Sequence, residues 1–273
     1  MDITLFKLAL VAYLVSTLGY IASLSLKRVA AAKVATVAIL AAFVIHTLSL
    51  IARWIETGHI PVIGIYETLS LFAWIMTAAY LAFQIRTKTR VLGAFVSPVA
   101  FLLAIVASVR LGGEVAMPPI LQGSMVAAHV ILSVAGEALF AVASCAGLMY
   151  MIQDGLLKRK KATGFIRFLP SLKDLDNVNH LCLLWGFPLL TLGIVAGSIW
   201  ARTAWGTHWQ WDPKQVWTLT VWFSYAFLLH QRLAIGWRGH RAAVLSCSAL
   251  AILLLLFAVE ETFFTTIHRF YWL

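Results

Sequence analysis

AAVLSCSALAILLLLFAV, residues 242–259, runs eighteen positions without a charged side chain. In a bilayer, a helix of about 20 apolar residues spans the hydrocarbon core and satisfies all of its own backbone groups. Working outward from this run, seven others of the same character lie at roughly 5–26, 34–52, 66–85, 91–110, 124–152, 181–200 and 215–235. The 273 residues are 62% hydrophobic and 12% charged, with a mean hydropathy of +0.89, which excludes a water-soluble globular domain. The sequence therefore predicts an all-α, polytopic membrane helix bundle of about eight transmembrane helices. Residues 1–273 read as one integral membrane domain, because no polar stretch is long enough to fold apart. The first run does not read as a cleavable signal peptide: its apolar core is too long, and Lys27, Arg28 and Lys33 follow it.

A net charge of +10 raises the question of nucleic acid, and the distribution of the charge answers it. Lys and Arg gather in short cytoplasmic loops of membrane proteins. The connections after the first, third, fifth and seventh runs carry fifteen of the 21 Lys and Arg, including Lys158, Arg159, Lys160 and Lys161. The opposite side carries Lys7, Arg53, Arg110, Arg202, Lys214 and Arg269. This asymmetry predicts both termini, and the loop at about 200–214, on the outer, extracytoplasmic side. The KRKK cluster then reads as an orientation signal and an anchor to the lipid surface, and no nucleic-acid partner is expected. Cys145, Cys182 and Cys247 are isolated within apolar runs and form no CxxC or metal spacing, so they read as small core residues. Glycine-rich phosphate loops, HExxH and GxSxG are absent, leaving no visible machinery for nucleotide or hydrolytic chemistry.

The loop on the outer side belongs to WARTAWGTHWQWDPKQVWTLTVW, residues 200–222 hereafter, which holds six of the eleven tryptophans. A membrane interface recruits a few aromatic rings on its own, but six around one His and one Asp exceed that need. Asp212, Pro213 and Gln215 compose a helix start, with Asp212 as N-cap, proline at the first helical position and Gln215 placed to reach back. Asp212 thus has two readings, cap alone or cap and ligand contact. Trp205, Trp209 and Trp211, in a loop that opens on Trp-Gly and closes on a capped helix, read as a fixed shelf for a broad, flat, apolar ligand.

These residues carry a resemblance. WGTHWQWD, followed by a run ending in LLHQRL (228–233), resembles the tryptophan-rich WWD motif of haem-handling membrane proteins of cytochrome c maturation. GHIPVIGIYETLSLFAW (58–74), AAHVILSVAGEALF (127–140) and IHRFYWL (267–273) are similar to the CcsA, or ResC, branch of system II. One departure is that the family usually reads WDPKE where this chain reads WDPKQ, which removes a charge at Gln215. The resemblance implies haem b as substrate or transient ligand. It implies His129 and His268 as the pair gripping iron over the outer loop, and His46 and His230 as ligands of a second haem position inside the bilayer. Independently, the charge-derived topology puts His129 and His268 on the same face as the tryptophans. Depth raises a difficulty for the inner pair: at about 1.5 Å per residue, His46 lies about 18 Å and His230 about 8 Å from the inner ends of their runs.

Arg202 and Lys214 bracket the loop and are candidates for the haem propionates, with Arg53, Arg110 and Arg269 as further outward cations. His208 and His59 have two readings, haem contact or hydrogen bonding within their loops, and His180 and His240 read as solvated on the cytoplasmic side. Glu137, the acid within a run, reads as the partner of a histidine or an arginine. The resemblance implies a chain that moves haem outward and presents it for thioether attachment to an apocytochrome c with CxxCH. It would act as part of a haem lyase with a Ccs1/ResB-type membrane subunit and thiol-reducing thioredoxin-like proteins. The alternatives are a haem exporter or chaperone without ligation, and a membrane b-type electron-transfer cytochrome. The membrane is expected to be the plasma (inner) or thylakoid membrane, with lipids as the immediate surroundings.

Overall fold

In the computed structural model, described over residues 2–26, 28–62, 64–86, 89–109, 123–159 and 169–263, every expected run is a helix. In chain order these are α1 (Asp2–Leu26), α2 (Val29–Thr57), α3 (Ile65–Arg86), α4 (Gly93–Ser108, entered through a 3-10 turn at Arg90–Leu92), α5 (Ser124–Lys158), α6 (Leu172–Trp205), α7 (Pro213–Leu233) and α8 (His240–Phe263). Seven of them are long and apolar enough to cross a membrane; α7 is the exception. Its 21 residues give about 31 Å, enough to span, but Thr218, Thr220, Ser224, His230, Gln231 and Arg232 dilute its apolar character. At 35 and 34 residues, α5 and α6 exceed about 50 Å and so project beyond the hydrocarbon layer.

Burial runs opposite to that of a soluble bundle. On α1 the interior face presents Tyr13, Ser16, Thr17 and Tyr20, while Leu8, Val11, Val15 and Leu18 point outward. Lipid is as apolar as leucine, so nothing drives large aliphatic side chains inward; small and hydrogen-bonding residues hold the helices together instead. This is an integral membrane protein. The closest pairing is α5 with α6, made through glycine: a Cβ at Gly136 would stand 2.8 Å from the Gly186 carbonyl oxygen, and one at Gly193 2.4 Å from Ser133 Oγ. Beside this seam Phe140 and Tyr225 stack with centroids 3.5 Å apart and bring α7 onto α5.

At the end of the bundle away from the tryptophan loop, Arg232 of α7 is a clasp. Its guanidinium donates to Asp176 Oδ1 at 2.8 Å, Asn179 Oδ1 at 3.0 Å and His180 Nδ1 at 3.0 Å. Asp176 also accepts from the Gly239 N–H at 2.9 Å, just before α8, and Asp154 of α5 meets His240 at 3.0 Å. His240 keeps an exposed side chain, as the sequence reading has it, whereas His180, read there as solvated too, is half-buried and accepts from the Arg232 guanidinium; a guanidinium on a neighbouring helix was not legible from the position of His180 in the chain. Arg232→Leu should lower the unfolding free energy by about 2 kcal/mol, somewhat under the ~3–5 of a fully buried pair because Asp176 keeps access to solvent. Urea unfolding in detergent checks it.

Candidate functional site

The tryptophan loop begins where α6 is stopped. Gly206, at φ 78°, closes the helix by donating its N–H to the Arg202 carbonyl at 2.9 Å, a left-handed turn that glycine makes without a Cβ penalty. The next residues fold back on α6: His208 Nδ1 donates to the Ser198 carbonyl at 3.1 Å, Ser198 Oγ donates to the His208 carbonyl at 3.2 Å, and His208 Nε2 faces Arg202 Nη1 at 3.4 Å. Of the two readings of His208, hydrogen bonding within the loop is the one these contacts support. Asp212 caps α7 by accepting from the Lys214 N–H at 3.2 Å. Gln215 Oε1 accepts from the Gln210 N–H at 2.9 Å, two residues before the place a capping box would use. A neutral carbonyl serves for that bond, so the Gln that departs from the family pattern keeps the loop closed.

The tryptophans do not form one flat shelf. Trp205 lies edge-on to Trp200, centroids 5.0 Å apart, and Trp209 edge-on to Trp211 at 5.6 Å and 90°. Trp200 belongs to a small apolar cluster with Val62, Leu71, Val126 and Val134 that seats the loop on α3 and α5. Trp211 differs from the others: it has φ 55° and is 77% exposed. A left-handed backbone costs a non-glycine residue about 1–2 kcal/mol, and an indole left in the open does not recover it by burial. Such an outlier points to function. Trp211→Gly should therefore leave stability within about 1 kcal/mol, relieved strain and added chain entropy nearly cancelling; thermal melting checks it.

His129 sits in the second turn of α5, half-buried against α6. Its Nδ1 donates to the Gly193 carbonyl at 2.7 Å. That bond fixes the tautomer and the ring plane and leaves the Nε2 lone pair uncommitted among the described residues, the arrangement found behind metal-bound imidazoles. The ring fits because Gly197 has no side chain: a Cβ there would stand 2.5 Å from His129 Nδ1. The pair forms GIVAG, residues 193–197, a small-xxx-small spacing visible in the sequence but passed over in its reading. Lys214, at the start of α7, is near enough to act electrostatically on both His129 and Glu137. Glu137 lies two turns deeper than His129, on the same side of α5 as Ser133, whose buried hydroxyl has no hydrogen-bond partner among the described residues.

The other predicted residues divide. His268, Arg110 and Arg269 lie outside the described residues; α8 starts beside Asp154 and ends at Phe263, five positions before His268. Arg53 is held by Asp2 at 3.3 Å and Glu67 at 3.2 Å. His46 is wholly buried, with Nε2 2.9 Å from Ser70 Oγ and Nδ1 3.2 Å from the Tyr13 hydroxyl, between the rings of Phe6 and Tyr13. His230 is exposed on α7. The structure does not bring these two together: α2 packs chiefly on α1, with α3 beside it, whereas α7 packs on α8 and α6.

Comparison with known proteins follows the same lines. A family model described as "Cytochrome C assembly protein" matches residues 62–268. The chain is similar to "Cytochrome c biogenesis protein CcsA" of Porphyra purpurea, 30% identical over 95% of this chain and 94% of that one. It is likewise similar to the protein of that name from Guillardia theta, 29% identical over 83% and 82%. To that of Chlamydomonas reinhardtii it is 34% identical over 73% of this chain, spanning 57% of the relative. A solved "Cytochrome c Heme Lyase CcmF" superposes with a TM-score of 0.63 at 16% identity over 94% of this chain; the chain spans under half, 46%, of that protein, and the likeness is one of fold. With the family model matching most of its length and a relative 30% identical over nearly all of it, the chain belongs to the cytochrome c assembly protein family, as a CcsA-type cytochrome c biogenesis protein.

Proposed function

We propose that this chain takes up haem b, holds it under the tryptophan loop on the extracytoplasmic face, and presents it for attachment to an apocytochrome c. The observation that carries this reading is His129: a half-buried imidazole with Nδ1 tied to Gly193 and Nε2 left to bind, one turn inside a helix at the same end as the loop. His268 supplies the second axial nitrogen, from a tail that follows α8 by a few residues. Trp211, Trp209 and Trp205 cover the porphyrin edge, Asp212 and His208 hold the loop shut, and Lys214 and Arg202 are the cations offered to the propionates. Residues 1–273 act as one domain in this reading.

Attachment is addition: each acceptor thiol adds its sulfur to one carbon of a vinyl group and its proton to the other, so atoms balance without an oxidant. This chain has no CxxCH, and the thiols therefore come from the apocytochrome, kept reduced by thioredoxin-like proteins. The contribution here is positioning, which removes the entropy of an otherwise improbable encounter. A Ccs1/ResB-type subunit completes the lyase, and the exposed stripe of Phe223, Phe227 and His230 on α7 offers it a seat. An inner haem, in this reading, would be held by His230, exposed on α7. His46 is left out, because both of its ring nitrogens are engaged.

Coexpression with the companion subunit and a reporter apocytochrome tests the proposal, since covalent haem survives denaturing gels. A haem-stained band that needs this chain, the companion and both CxxCH cysteines supports it. Haem released outside with no covalent product would mean export instead, and a permanently bound, reversibly titrating haem would mean an electron-transfer cytochrome.

A further inference from the structure

The connection between α2 and α3, GHIPVIG at residues 58–64, is held by bonds that leave the ring of its histidine unused. Gly58, at φ 73°, donates its N–H to the Trp54 carbonyl at 2.9 Å, a left-handed turn that glycine enters without a Cβ penalty. Thr57 Oγ1 donates to the His59 carbonyl at 3.1 Å, and the Val62 N–H to the Ile60 carbonyl at 2.9 Å. At the far end the Gly64 carbonyl accepts from the Thr68 N–H at 3.1 Å. Val62 is buried and seated in the apolar cluster with Val126 and Val134 of α5 and with Trp200 of α6. The connection therefore stands at the tryptophan-loop end, beside the start of α5, where Val126 is one turn before His129.

His59 is partly exposed in this connection. Its Nδ1 donates to the Ile60 carbonyl at 3.1 Å, so Nε2 carries the lone pair, uncommitted among the described residues. A loop histidine ordinarily ties its loop together. This ring bonds only the next carbonyl along, and the backbone is held without it. Other polar groups of the outer site are engaged: His208 Nδ1 bonds Ser198 and its Nε2 faces Arg202, Asp212 caps α7, and His129 is the proposed iron ligand. Thioether attachment moves a proton as well as forming a bond, and that proton needs a carrier. We propose that His59 is this carrier, an inference that rests on the proposed attachment. His59 is three residues before Val62, at most about 11 Å along the chain, and His129 follows Val126 by about 4.5 Å of helix. These spacings put His59 around the rim of a porphyrin held by His129, where the vinyl groups are, rather than at its iron. The acceptor S–H gives its proton to Nε2 as sulfur bonds the vinyl carbon next to the ring. The π bond opens, and Nε2 returns the proton to the terminal carbon, which becomes a methyl group. Nδ1 keeps its own proton and its bond to Ile60 throughout, and that carbonyl steadies the imidazolium. Nothing is oxidised or reduced, and His59 ends as it began.

The test uses the full chain purified with its companion subunit, loaded with haem and mixed with a reduced CxxCH apocytochrome. Haem content and the low-spin spectrum are read apart from the rate of covalent product. His59→Gln and His59→Ala are expected to hold haem with the wild-type spectrum while attachment slows about 100-fold or more, the scale of a lost acid–base group. The base 2,6-lutidine, whose methyl groups keep its nitrogen off iron, should return part of the rate in His59→Ala, which a merely structural loss would not allow. Attachment by His59→Gln at the wild-type rate overturns the proposal and leaves the attachment reading standing, as does a variant that is slow only because it has lost haem. Wild type that holds haem and yields no covalent product overturns the attachment reading, and this proposal with it.

Discussion

His129→Ala is expected to remove covalent cytochrome product almost entirely and to strip haem from the outer position of the purified protein. Loss of a group that merely orients a metal ligand costs about 10–100-fold in affinity; loss of the ligand itself should exceed about 100-fold. Because the ring is half-buried and, among the described residues, bonds only the Gly193 carbonyl, its removal leaves a small polar gap and the bundle still folds. Free imidazole added to cells should then restore part of the product in His129→Ala, since it brings a nitrogen back to a vacated pocket. Haem-stained gels of the reporter, with and without imidazole, measure it. Folded, membrane-inserted His129→Ala that attaches haem at the wild-type rate would remove the assignment.

The second large effect concerns a residue with no side chain. Gly197→Val places a Cβ 2.5 Å from His129 Nδ1, well inside van der Waals contact. The helix backbone of α6 is fixed by its contacts with α5, so the imidazole moves, and its bond to Gly193 is lost. The cost to haem affinity should approach 100-fold, as for lost outer-shell support. The cost in stability should stay near the ~1–3 kcal/mol of overpacking. Gly123 is a control, since a Cβ there meets nothing within 4 Å; Gly123→Ala should bind haem as the wild type does. Haem titration of the two variants separates a displaced ligand from general disturbance.

Much of the architecture was legible because membrane helices announce themselves by length and apolarity, and each expected run is a helix. The ends of α5 and α6 were less legible: their polar outer turns, such as Asp174 to Asn179, continue the helix beyond the apolar window. The helix start at Asp212 was readable from Asp-Pro alone, since capping is local chemistry. The site was readable only in one dimension. Residue number gives depth along a helix, but not which way a side chain points once helices pack. His46 and His230 could both be placed within the bilayer, yet one faces inward with Ser49 and Arg53, three and seven residues on, and the other outward with Phe227 and Phe223. Helical spacing to those neighbours carries the distinction. The same limit applied to the tryptophans: a loop rich in indole is visible in the sequence, whereas edge-to-face pairing of Trp209 on Trp211 depends on the left-handed backbone of a residue that is not glycine.

The most direct measurement is the electron paramagnetic resonance spectrum of haem in the protein purified with its companion, taken with His129 and His268 replaced one at a time by alanine. The expected result is a low-spin signal of two imidazoles from the outer haem in the wild type; in each variant this component gives way to high-spin iron, and it returns when imidazole is added. An unchanged low-spin signal in His129→Ala would contradict iron binding by His129 beneath the tryptophan loop.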